Sequence, residues 1–130
     1  MIVLDSEGLS RLIRRDPDVM ALAKELEAAG ESVTTSAATL VEGIDPAMKP
    51  AAIRWAVSGL DVIDVSRAVA LTATDLLRSA RRHGHRDAMD AIVCATAILS
   101  DDAPVTILTS DPNDIKALLA DHPEISVLAT

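Results

Sequence analysis

The sequence predicts an α/β fold: a three-layer α/β/α sandwich with a central parallel sheet. Three observations predict it. The opening run Met1-Ile2-Val3-Leu4-Asp5 has strand length and no polar alternation, so it reads as a strand buried on both faces. Further β-branched or apolar runs recur at 32–35, 60–65, 105–109 and 125–128, each separated from the next by helical patterns. Strands alternating with helices imply parallel pairing and helices on both sheet faces. The strand runs end at carboxylates or hydroxyls, notably Asp5 and Ser110-Asp111, and ligands of open α/β sheets bind beyond the carboxyl ends of the strands.

Taken in order, the first strand stops at Asp5, and Ser6 or Ser10 can open a short helix carrying Leu9, Leu12 and Ile13. Asp16-Pro17 has the cap and first-turn signature of a second helix, with Val19, Leu22, Ala23 and Leu26 as its apolar stripe and Gly30 at its left-handed exit. Ser32-Val33-Thr34-Thr35 follows as a strand, and Ser36 caps a helix from Ala37 to about Gly43 that carries Glu42. Pro46 and Pro50 bracket a turn before a helix over Ala51 to Ser58, ended by Gly59. Leu60-Asp61-Val62-Ile63-Asp64-Val65 is the third strand. Ser66 caps a long helix with Val69, Ala73, Leu76, Leu77 and Ala80 inward, expected to end at Gly84. The next helix is expected from about Asp87 to Leu99, broken at Asp101-Asp102-Ala103-Pro104. Val105-Thr106-Ile107-Leu108-Thr109 is the fourth strand, Asp111-Pro112 opens a helix through Leu119, and Ile125-Ser126-Val127-Leu128 is an edge strand.

Residues 1–130 suit one domain, with no repeat or linker, and are enough to bury a real core. That core must be aliphatic and alanine-rich, because the chain has one Trp and neither Phe nor Tyr. No run has the length of a membrane span and the start lacks a signal-peptide pattern, so a cytoplasmic protein without membrane contact is expected. Cys94 alone excludes an internal disulfide and a cysteine-rich zinc site. A net charge of −8 repels nucleic acid, so such a substrate needs metal ions or a local basic patch.

The acids carry the chemistry. Asp5 and Asp111 both follow apolar strands and so belong to one edge of the sheet. Glu42, on the helix after the second strand, and Asp90, early in the helix before the fourth, can reach the same crevice. Asp87 and Asp114 lie one turn from Asp90 and Asp111 on the same helix faces. Carboxylates converging without matching Lys or Arg repel one another, so either their pKa values rise or cations neutralise them. Hard oxygen donors suit Mg²⁺ or Mn²⁺, the ions of metal-assisted phosphodiester hydrolysis.

Four stretches, Ile2-Val3-Leu4-Asp5-Ser6, the run from Thr35 to Glu42, the run from Asp87 to Ala97 and the run from Ile107 to Asp114, together resemble a PIN-domain ribonuclease, and most of all the VapC-type toxins of type II toxin–antitoxin pairs. The resemblance spans the chain in order and spacing. It implies a PIN-like sheet with the first strand central, endonucleolytic RNA cleavage with Mg²⁺ or Mn²⁺, homodimers, and a small cognate antitoxin that occludes the site. It maps the family's acids onto Asp5, Glu42, Asp90 and Asp111, adds Asp114 as a frequent extra metal ligand, and leaves Asp87 outside the core positions. Ser6 and Ser110 match hydroxyl positions flanking the acids, where they can orient a carboxylate or a water.

Each feature also has an ordinary reading. Asp111, Asp114, Asp87 and Asp90 are all explicable as helix caps or first-turn acids, whereas Asp5, ending a strand, and Glu42, inside a helix, are not. Arg78, Arg81, Arg82, His83, His85 and Arg86 form the only basic cluster. It reads either as favourable charge at a helix C-terminus or as an RNA phosphate cradle at Arg78, Arg81, Arg82 and Arg86, and the two are compatible. His83, His85 and Asp87 spell a zinc-like H-x-H-x-D, but only His122 remains to complete it, so surface histidines are expected. Cys94 reads as a small buried hydrophobe and Trp55 as core or interface packing. Two other functions compete: a phosphatase with an aspartate nucleophile at Asp5, of haloacid-dehalogenase type, and a non-catalytic PIN-like interaction module or phospho-acceptor. The first has Glu7 where a second Asp belongs and no clear phosphate partner among Lys24, Lys49 and Lys116, and the second finds Asp64 inside a strand.

Overall fold

A computed structural model describes residues 1–130. Five strands, β1 (Ile2–Leu4), β2 (Val33–Ser36), β3 (Asp61–Ile63), β4 (Val105–Thr109) and β5 (Ile125–Ala129), pair in the order β3-β2-β1-β4-β5. Every pairing is parallel, with Val3 opposite Thr34 on one side and Ile107 on the other. The predicted sheet, its central first strand and the edge strand at 125–129 are all present.

Seven helices, α1 (Ser6–Ile13), α2 (Pro17–Ala28), α3 (Ala37–Gly43), α4 (Pro50–Ser58), α5 (Arg67–Ala80), α6 (Gly84–Ile98) and α7 (Pro112–Leu118), connect the strands. Alternate residues of β1 explain the three layers. Val3 faces a core with Val69, Leu76, Val93, Ile107 and Ile115, under α5, α6 and α7. Ile2 and Leu4 face the other core with Leu9, Leu12, Val19 and Leu108, under α1, α2 and α4. The unbranched packing predicted from the lack of aromatics is visible in α6, where Ala91, Cys94, Ala95 and Ala97 are fully covered and let the helix lie close on the sheet. Of the core or interface packing expected for Trp55, the core half does not hold: it is 39% exposed, with the Arg15 guanidinium 4.4 Å from its ring centroid.

Local capping departs from expectation in two places that matter for the site. Helix α1 is capped by Asp5, not by Ser6 or Ser10; the Gly8 N–H donates to Asp5 Oδ1 at 2.8 Å. The long helix α5 does not run to Gly84. It ends at Ala80, where Arg81 takes the left-handed conformation (φ 56°) usually left to glycine, and the Arg82 N–H bonds back to the Leu77 carbonyl at 2.8 Å. Gly84 instead begins α6, which starts three residues earlier than its Asp87 suggests and has no side-chain cap. No helix is long and apolar enough to cross a membrane.

Candidate metal centre

The parallel sheet puts the ends of β1, β2 and β4 on one edge, and helix α6, running back toward the start of β4, delivers its first turns to that same edge. Asp5, Glu42, Asp87, Asp90, Asp111 and Asp114 gather there. Asp90 carries the clearest sign of the crowding. Its carboxyl is pushed up to about 6, first by burial and then by the charges of Asp5, Asp111, Asp114 and Glu42.

Each acid is held differently. Asp5 is 6% exposed and accepts two backbone N–H bonds, from Gly8 to Oδ1 at 2.8 Å and from Ser110 to Oδ2 at 3.1 Å. A strand-end aspartate thus caps a helix and ties the β4 exit to the β1 exit. Glu42, exposed on α3, accepts the Ser6 hydroxyl at 2.6 Å. Ser110 joins the site through its N–H, while its side chain is exposed. Asp111 stands at the cap position of α7 without a side-chain cap bond. Its pKa is raised, first by the facing Asp114 carboxyl, and Asp114 is lowered, first by the Arg82 guanidinium and then by Asp111.

The Ser6–Glu42 link depends on a glycine. A Cβ on Gly43 would meet the Ser6 carbonyl oxygen at 2.9 Å and Leu9 Cδ2 at 3.1 Å, so α3 approaches α1 more closely than any side chain permits. Gly43→Ala is expected to destabilise the protein by about 1–3 kcal/mol through overpacking and to pull Glu42 off Ser6. Denaturant unfolding checks the first effect; unchanged stability would show that the helices separate freely.

Arg82 breaks an expectation. The acids are not without a cation, because Arg82 Nη1 lies 2.8 Å from Asp114 Oδ1 and 3.6 Å from Asp87 Oδ1. Its placement follows from the left-handed Arg81 turn, which the sequence signals weakly. Arg78, Arg81 and Arg86 are exposed, and Arg86 contributes a smaller lowering at Asp114. His83 and His85 are exposed, and His122 bonds Glu124 at 3.1 Å, so no histidine joins the acids.

Oxygens of Asp87, Asp90 and Asp114 all lie within 4.8 Å of one another. This all-carboxylate donor set fits a hard divalent ion such as Mg²⁺ or Mn²⁺. Asp87, 5% exposed, stands closer to that set than its expected minor standing; its spacing of one turn from Asp90 was the available signal.

With the geometry in place, the family model for the PIN domain matches residues 2–118. The chain belongs to the PIN domain family. No curated protein matches it in sequence. Among solved structures, the PIN chain resembles VapBC2 from Rickettsia felis, bound to a promoter DNA fragment, at 20% identity and a TM-score of 0.68, covering 100% of this chain and 99% of that one. A toxin–antitoxin complex from Klebsiella pneumoniae is 23% identical, with a TM-score of 0.66 and 96% and 95% coverage. FitAcB from Neisseria gonorrhoeae is 22% identical, with a TM-score of 0.68 and 98% and 96% coverage. At these identities the likeness establishes a shared fold along essentially the whole chain.

Proposed function

We propose that this PIN protein is a metal-dependent endoribonuclease and the VapC-type toxin of a type II toxin–antitoxin pair. The observation that carries the reading is the convergence of acids from four separate segments on one sheet edge, where burial first and then their charges raise Asp90 to a pKa of about 6. Asp90, with Asp87 and Asp114 whose oxygens lie within 4.8 Å of it and of each other, would hold Mg²⁺ or Mn²⁺, and Asp5, Glu42 and Asp111 would join directly or through waters. When bound, such an ion neutralises the carboxylates, lowers the pKa of a water and steadies charge on the phosphate oxygens.

The chain's own residues do the rest. Two N–H donors fix Asp5 in one orientation, and Ser6 fixes Glu42, so these carboxylates are aimed before substrate arrives. No guanidinium or ammonium pairs with Asp90, which leaves its oxygens free as donors once the proton is lost. Exposed Arg78, Arg81 and Arg86, of which Arg86 lies near enough to lower Asp114, would supply phosphate contacts that offset a net charge of −8. A small antitoxin covering the mouth, a homodimeric state and a cytoplasmic setting complete the proposal; two of the similar solved structures are described as VapBC2 and as a toxin–antitoxin complex.

An aspartate-nucleophile phosphatase fits poorly. Both oxygens of Asp5 accept backbone N–H groups, and Glu7 turns away to Arg11 at 3.1 Å. The purified chain is expected to cut single-stranded RNA internally with Mg²⁺ or Mn²⁺, to stop on chelation and to resume when the ion returns. RNA left intact at every divalent-ion concentration would sink the proposal.

A further inference from the structure

Arg82 is the one cation paired with carboxylates of the mouth. It bonds Asp114 at 2.8 Å and approaches Asp87 at 3.6 Å, and these are two of the three acids whose oxygens lie within 4.8 Å of one another. A guanidinium and a divalent ion set among the same carboxylates repel each other and compete for the same lone pairs.

The placement is not left to a free side chain. Arg81 adopts φ 56°, and the bond from the Arg82 N–H to the Leu77 carbonyl fixes where the Arg82 side chain begins. From there it reaches across to α7, 32 residues further along the chain. The side chain is 26% exposed, so it borders solvent into which it can withdraw.

We infer that Arg82 is a built-in occupant of the metal mouth, which must release Asp114 before a divalent ion settles among Asp87, Asp90 and Asp114, and which thereby sets how much ion the protein needs. The inference rests on the metal reading above. Arg82 neutralises part of the cluster when no ion is bound, so the chain folds without one, and the same contact weakens the ion's hold.

Calorimetric titration of Mn²⁺ into the full chain tests this with wild type, Arg82→Gln, Arg82→Lys and Asp90→Asn. Arg82→Gln is expected to bind Mn²⁺ about tenfold more tightly than wild type or better, because a positive charge a few ångströms away is gone. Arg82→Lys keeps the charge without the fork and should fall between them, and Asp90→Asn should lose binding. Loss of a merely structural ion pair would leave affinity unchanged or weaken it, so the direction of the change discriminates. Wild-type binding with unchanged or weaker binding in Arg82→Gln overturns the role of Arg82 alone. No binding in wild type or Arg82→Gln overturns the metal reading, and the Arg82 inference with it. Should Arg82→Gln fail to fold, the wild-type Arg82 Nε–H signal decides by nuclear magnetic resonance: Mg²⁺ should shift it as the guanidinium leaves Asp114, and a signal unmoved at saturation overturns the inference.

Discussion

Replacing Asp90 by Asn is expected to remove divalent-ion-dependent RNA cleavage by at least about a hundredfold, the upper end of what losing even a supporting group costs at a metal site. The fold should survive, since the amide has the same shape and Asp90 makes no ion pair. The same substitution should change how stability depends on pH. In the folded chain Asp90 has a pKa of about 6, above the ordinary value of 3.8. An acid whose pKa is raised on folding favours the folded state at low pH and loses that contribution as pH rises through the folded value. Without metal, wild type should therefore lose stability between about pH 4 and about pH 7 through this group, while Asp90→Asn should not. Added Mg²⁺ should raise the wild-type Tm above about pH 7 and hardly at all near pH 4, where protons hold the site. Thermal unfolding with and without Mg²⁺ across that range measures both effects. An Asp90→Asn protein that cleaves RNA at the wild-type rate would remove Asp90 from the proposal.

Asp5→Ala should be the most damaging single change to stability near the mouth. It deletes a helix cap worth about 1 kcal/mol and leaves the Ser110 N–H without its acceptor, worth about 1–3 more, so a loss of about 2–4 kcal/mol is expected. Asp5→Asn keeps an oxygen for Gly8 and should fold, with an intermediate loss, yet both variants should be inactive. Urea unfolding beside an RNA-cleavage assay separates the two roles. Full activity in Asp5→Asn would end the metal assignment, and wild-type stability in Asp5→Ala would end the structural one.

The central strands β1 and β4 are legible in the sequence because they are largely buried and carry nearly unbroken apolar runs, whereas the edge strands β3 and β5 are largely exposed. The placement of Asp5 and Asp111 follows from the same reasoning, since a parallel sheet sends every strand end to one edge, whereas Glu42, Asp87 and Asp90 arrive on helices. What the sequence hides is how the acids are paired. Asp5 looks like a residue with no cap to make, yet it caps α1 because the strand passes directly into the helix. Gly84 looks like a terminator, but the left-handed position falls on Arg81, where a glycine would be the usual signal. That displacement also conceals the direction of Arg82, which a charge count assigns to the basic surface and the structure turns inward to Asp87 and Asp114. Side-chain direction at a helix exit depends on one backbone angle, and no pattern of residue types reports it.

Under the proposed function, the division of the mouth along the chain bears on when the site becomes complete. Asp5 and Glu42 precede β3, while Asp87, Asp90, Asp111 and Asp114 follow it. Asp87, Asp90 and Asp114 thus come from the later portion alone, and under the proposed function a polypeptide that stops before β4 still lacks Asp111 and Asp114. Competence would then arise only once β4 has docked beside β1 and brought Ser110 and Asp111 to Asp5.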